Sequence, residues 1–141
     1  MRVAQLGGWV LAGVMLAAPA VADTRFAGRF EGTGRACSGA LILTRGTLDW
    51  RSTYSTCRAR RYEIQERRLD NDAKRLVLRL VGAQRPTCPY AVIELEQATT
   101  YGWNVSGFRS MQAYENRTQP AWSRSALPER YVLSCLMTKV D

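Results

Sequence analysis

After Asp23 the chain is dominated by short runs in which apolar and polar residues alternate with a period of two, broken by glycine, proline and polar clusters. Successive side chains of an extended strand point to opposite faces, so such runs bury one face and wet the other. That pattern is the signature of antiparallel sheet. Residues 24–33 read as a first strand, with Phe26 and Phe30 on one side and Arg25, Arg29 and Glu31 between them. Residues 39–43 and 47–54 predict a hairpin turning near Arg45-Gly46. Its second arm puts Leu48, Trp50 and Tyr54 on one face and Asp49, Arg51 and Thr53 on the other.

Further along, residues 61–68 set Tyr62 and Ile64 against Glu63 and Gln65, residues 69–72 supply a turn, and residues 75–81 align Leu76, Leu78 and Leu80. Two prolines make residues 85–89 a connection, because proline has no amide to give a ladder. Residues 90–96 resume with Ala91, Ile93 and Leu95 on one face, and Val92 between them predicts a strand covered on both sides. Residues 101–109 and 130–137 complete the strands. The period changes only over 110–116, where Met111, Tyr114 and Glu115 predict one short helix, and 118–128 reads as a long irregular connection anchored by Trp122. The fold class expected is all-β: about eight antiparallel strands in an up-and-down barrel or a flattened sandwich, with one short helix and two disulfides.

The first 22 residues follow another rule. Arg2, the apolar stretch 6–18 and Ala20-Val21-Ala22 before Asp23 have the form of a secretory signal peptide, expected to be cleaved after Ala22. The stretch is short for a membrane span and no second apolar segment follows. The expectation is therefore a periplasmic or secreted bacterial protein with a single domain over 23–141 and no integral membrane segment in the mature chain. The four cysteines, Cys37, Cys57, Cys88 and Cys135, all follow the leader, and an even count in an oxidising compartment predicts two disulfides. Three pairings are possible. A hairpin over 39–54 would bring Cys37 towards Cys57, which favours Cys37–Cys57 with Cys88–Cys135.

There is no histidine, no Cys-x-x-Cys, no Gly-x-Ser-x-Gly and no phosphate-binding glycine loop, so no metal or other cofactor is expected and the chain reads as a non-catalytic protein. Glu94 and Glu96 share one face of a strand, and Asp49 or Glu63 faces across a hairpin. These carboxylates carry the only enzymatic reading, a paired-carboxylate hydrolase.

Charge points elsewhere. Without Arg2 the chain holds 19 basic residues against 12 acidic, a net of +7, and only Lys74 and Lys139 among them are lysines. Arg58, Arg60, Arg61, Arg67 and Arg68 gather in one hairpin region, and planar guanidinium groups suit phosphate, sulfate or carboxylate. The leading expectation is an exported binding protein that engages an anionic envelope polymer or protein partner through these arginines, as an inhibitor or adaptor, with Trp122 as a rim contact. No nucleic-acid motif accompanies the charge, and no nucleic-acid partner is expected. The alternative is a carrier of a small apolar ligand whose barrel cavity is lined by Trp50, Tyr54 and Trp103. The inferred architecture is similar to lipocalin-like barrels and to small periplasmic lysozyme inhibitors, although no motif of either can be laid onto these residues.

Overall fold

The computed structural model describes residues 26–70, 73–124 and 132–140. The expected signal peptide and its cleavage site, the start of the first strand at 24–25, the turn at 71–72 and residues 125–131 lie outside the described residues. Eight antiparallel strands close into a barrel in sequence order: β1 (Gly28–Gly32), β2 (Gly39–Leu43), β3 (Thr47–Arg51), β4 (Thr56–Asp70), β5 (Ala73–Leu80), β6 (Val92–Gln97), β7 (Gly102–Phe108) and β8 (Val132–Lys139). The seam is β1 against β8, with Phe30 opposite Lys139 and Gly32 opposite Met137. Closure removes the two sheet edges that a sandwich would have left open.

The interior is filled by the alternating apolar set. Phe30, Leu41, Leu48, Trp50, Leu76, Leu78, Ile93, Leu95 and Val105 have no solvent exposure. Trp103 meets the edges of Phe26 and Phe30 at ring distances of 5.7 and 5.6 Å. Each such side chain removed from water contributes roughly 1.5–3 kcal/mol. A smaller apolar cluster lies on the outer wall, where Val77, Val92 and Phe108 are covered by Ala113. Val92 facing this cluster and Ile93 facing the interior confirm a strand covered on both sides.

Ala113 belongs to α1 (Met111–Glu115), whose start is capped by Ser110 Oγ accepting from the Ala113 amide at 3.0 Å. The expected short helix is therefore present. A second helix, α2 (Pro120–Arg124), replaces part of the irregular connection read over 118–128. Proline at a first helical position loses no hydrogen bond, so Pro120 can start this helix.

Two strand boundaries also differ. β3 stops at Arg51, and residues 52–55 make a tight turn in which the Ser52 amide donates to the Ser55 carbonyl at 2.9 Å and the two hydroxyls meet at 2.8 Å. Tyr54 therefore leaves the face of Leu48 and Trp50. β4 then starts at Thr56 and runs through Asp70, well beyond the expected 61–68.

This turn also corrects the disulfide pairing, which is Cys37–Cys135 and Cys57–Cys88. Because the chain reverses at 52–55, Cys57 lies in the β3–β4 ladder opposite Trp50, beside the 81–91 connection that carries Cys88. Cys37, on the loop leaving β1, is instead next to the strand that closes the barrel. In the chain-entropy picture, bonds spanning 98 and 31 positions contribute about 4.7 and about 3.7 kcal/mol.

β4 carries two bulges that decide where its charges point. At the first, Leu48 faces Arg60 while Trp50 faces Cys57, so Asp49 opposes both Arg58 and Ala59. Ala59 adopts a φ of 45°, and its amide donates to Asp49 Oδ1 at 3.0 Å. The extra residue reverses the alternation, sending Arg60 inward beside Leu48 and leaving Arg61 outside. At the second, Gln65 is extra between the Ile64–Leu78 and Glu66–Val77 pairs, which puts Glu66 on the outer wall.

Candidate functional site

The basic residues singled out from the sequence do not form one surface. Arg58 and Arg61 are exposed on β4 and, among the described residues, take part in no ion pair. Arg60 is only 4 % exposed. Arg67 is exposed opposite Leu76, near the far end of the β4–β5 hairpin. Arg68 lies 3.7 Å from Glu66 and 3.9 Å from Asp70. Trp122 packs on the outer apolar cluster, half-buried.

The aromatic set divides too. Trp50 is completely buried in the packed interior, Tyr54 is 76 % exposed on its turn, and Trp103 lies at one mouth of the barrel. Of the three residues expected to line an interior cavity, Trp50 packs within the buried core, whereas the 52–55 turn carries Tyr54 outward.

The carboxylates are drawn to cations. Arg75 extends over the outer wall, where its Nε donates to Glu94 at 3.0 Å, its Nη1 donates to Glu66 at 3.2 Å, and its Nη2 reaches Glu94 and the Tyr114 hydroxyl. Arg117 stacks 4.0 Å above the Tyr114 ring and approaches Glu94 at 3.7 Å. Burial on its own disfavours the Arg75 charge, but the hydrogen bond and charge of Glu94, aided by Tyr114 and Glu66, outweigh it and raise the pKa. This network ties α1 to β4, β5 and β6. Glu96 is exposed, Glu63 is held by Arg79 and Asp49 by the Ala59 amide.

The best-formed polar constellation lies at the end of the barrel made by the connections 33–38, 52–55 and 81–91 and by residues 109–124. The first three contain no aspartate or glutamate. Here Gln84, Arg85, Pro86, Pro89 and Arg109 line a hollow of about 370 Å³, and Arg109 is shared with a smaller one of about 180 Å³ formed with Tyr54, Tyr90, Val132 and Leu133. Gln84 Nε2 braces the hollow by donating to the carbonyls of Pro89 and Arg109, each at 2.5 Å. Arg85 exchanges two backbone hydrogen bonds with Cys88, at 3.2 and 3.0 Å, and the Thr56 amide donates to the Thr87 carbonyl at 2.7 Å. With Cys57–Cys88, these bonds fasten the loop to the start of β4.

Behind the hollow the floor is polar in a few places. Tyr90 stacks on Trp50 at 5.2 Å, and its hydroxyl meets Ser55 Oγ at 3.0 Å. Burial pushes the Tyr90 phenol up, opposed in part by the Ser55 hydrogen bond and the Arg109 charge. A side chain at Gly107 would place its Cβ 2.7 Å from the Tyr90 ring and 2.9 Å from Trp50, so glycine is what lets this stack lie against β7. Among the described residues, two buried donors, Trp50 Nε1 and Arg60 Nη1, have no hydrogen-bond partner. Burial, and after it the charge of Arg85, lowers the Arg60 pKa.

Arg85, Arg109 and Gln84 were missed by a reading centred on the densest arginine run. Gln84 and Arg85 had a signal, an acid-free proline loop, 81–91, carrying an arginine and a cysteine, whereas Arg109, just after β7, had none. The inward turn of Arg60 was legible as well, since it sits two residues before Tyr62 and so shares its face.

At the opposite mouth, Lys74, Gln97, Thr100, Tyr101, Trp103, Lys139 and Val140 line another hollow of about 370 Å³. Both lysines of the chain are at this mouth. The chain matches no protein-family model, no curated protein and no solved structure.

Proposed function

We propose that the chain is an exported, non-catalytic binding domain that meets an anionic partner, an envelope polymer or an acidic protein surface, through the arginines at the long-loop end of its barrel. The observation that carries the reading is the pairing of charges. Glu63, Glu66 and Glu94 on the outer wall are engaged by Arg68, Arg75 and Arg79, whereas Arg58, Arg85 and Arg109 have no ion pair among the described residues. Arg85 and Arg109 line one hollow, at an end where three loops supply no acid. Guanidinium groups left unpaired in such a place raise the local potential and present forked donors to phosphate, sulfate or carboxylate. The two disulfides fit an extracellular or periplasmic setting, and the leader-like residues 1–22 supply the route.

Retention of the oxidised protein on an immobilised polyphosphate matrix tests this. Elution at rising salt should shift to clearly lower salt in Arg85→Ala/Arg109→Ala, because each lost phosphate contact reduces the salt dependence. Retention indifferent to salt, or identical in the double variant, would reject the reading.

A second reading, a carrier of a small apolar ligand, is supported at the opposite mouth by the hollow over Trp103. At that rim Lys74 and Lys139 would suit an acidic head group. Quenching of tryptophan fluorescence by a fatty acid, lost in Trp103→Phe, is the corresponding test.

A further inference from the structure

We propose that an oxyanion group, the chemistry shared by phosphate, sulfate and carboxylate, binds between the guanidinium groups of Arg60 and Arg85; this deepens the reading of the long-loop end as anion-facing by naming the socket that recognises the anion. Arg60 is a buried cation with an incomplete set of partners. Its Nη2 donates to the Val81 carbonyl at 3.2 Å, while Nη1 is buried with no acceptor among the described residues. A guanidinium is always charged and has no acceptor of its own, so a buried one is normally matched to a carboxylate. None is supplied among the described residues. Loops 52–55 and 81–91 contain no acid, and Asp49, the acidic residue nearest in the ladder, points outward and is committed to the Ala59 amide. The charged neighbour is instead a second cation, Arg85.

Both arginines are placed by local devices. The bulge at Ala59, held in the left-handed region, is what turns Arg60 inward. Arg85 is held by its two hydrogen bonds to Cys88, whose sulfur is bonded to Cys57, three residues before Arg60. Strain, a covalent clamp and like charges brought together make a costly arrangement for an empty site. An oxyanion would satisfy the orphan Nη1, neutralise the repulsion and receive paired N–H donors that a spherical halide cannot use as well. Arg85 also lines the outer hollow, so it is the arginine of the pair that an anion arriving from solvent meets first.

The probes are inorganic sulfate and inorganic phosphate, titrated into the oxidised full-length protein in a calorimeter and in thermal unfolding, against sodium chloride at equal ionic strength. The expected result is saturable heat and a saturable rise in Tm with sulfate or phosphate and neither with chloride. Arg85→Ala should weaken the apparent affinity about tenfold or more, since it removes a charge-assisted partner. Arg45→Ala, on the hairpin tip at the other end, should leave it unchanged. Arg60→Met should abolish saturation; if that variant fails to fold, Arg85→Ala carries the test by itself. Sulfate no better than chloride, or equal affinity in Arg85→Ala and Arg45→Ala, overturns the proposal. If polyphosphate retention persists while sulfate binding is absent, the socket is wrong and the surface reading stands. Sulfate binding without polymer retention supports the socket and removes the surface reading.

Discussion

Asp49 Oδ1 accepts a 3.0 Å hydrogen bond from the amide of Ala59 across the β3–β4 ladder, and that bond secures the bulge by which Arg60 enters the barrel wall. Removing it in Asp49→Ala should cost about 1 kcal/mol, the worth of one intramolecular hydrogen bond. Ala59→Gly should do the opposite. With φ at 45°, glycine relieves a left-handed conformation that disfavours alanine, a gain of about 0.5–1 kcal/mol. Urea unfolding midpoints of the two variants check both signs, and a destabilised Ala59→Gly would contradict the backbone described here.

The disulfide map is directly testable. Peptide mapping of unreduced protein should recover Cys37 joined to Cys135 and Cys57 joined to Cys88. Replacing Cys57 and Cys88 together by serine should lower stability by about 2–4 kcal/mol. It should also free the 81–91 loop, seen as faster proteolysis there than at the β2–β3 hairpin.

Arg75 and Glu94 form the most enclosed ion pair, with side chains 13 % and 12 % exposed. Breaking one side strands the other, so Arg75→Met should cost about 2–4 kcal/mol, while Arg75→Met combined with Glu94→Leu should recover part of that loss. The single variant should also loosen α1, because Tyr114 loses its contact with the guanidinium. Chemical denaturation of the three variants, with amide exchange over 111–115, reads both effects.

Tyr90 sets an alkaline limit. Burial holds its phenol above the ordinary value, so the folded state keeps the proton more tightly than the unfolded chain does. The associated stability is fully present below the unfolded pKa, ~10, and is lost as the pH rises through the higher folded value. Unfolding free energy should therefore fall more steeply above pH ~10 in the wild type than in Tyr90→Phe. At neutral pH Tyr90→Phe should cost about 1 kcal/mol through the lost Ser55 contact.

The strands were legible because alternation is a local property. Leu76, Leu78 and Leu80 declare an inward face whatever the rest of the chain does, and Ser110 followed by helical spacing declares α1. Events that break the period were harder to read. The 52–55 turn, which looks like a continuation of the β3 pattern, moved Tyr54 out of the barrel and redirected Cys57 to Cys88. A bulge leaves no residue signature at Gln65, so the outward placement of Glu66 emerges only from register. The charged hollow depends on loops distant in sequence, 81–91 and the residues after β7, meeting at one end. No local pattern encodes that meeting.

Cys37–Cys135 joins the loop after the first strand to the last strand, so β2 through β7 all lie within the covalent ring that it closes. A pulling force applied on either side of that ring would travel from residue 37 to residue 135 through sulfur, bypassing the polypeptide between them. The six enclosed strands would feel little tension, and a single backbone cut among them would still leave the fragments attached as one particle.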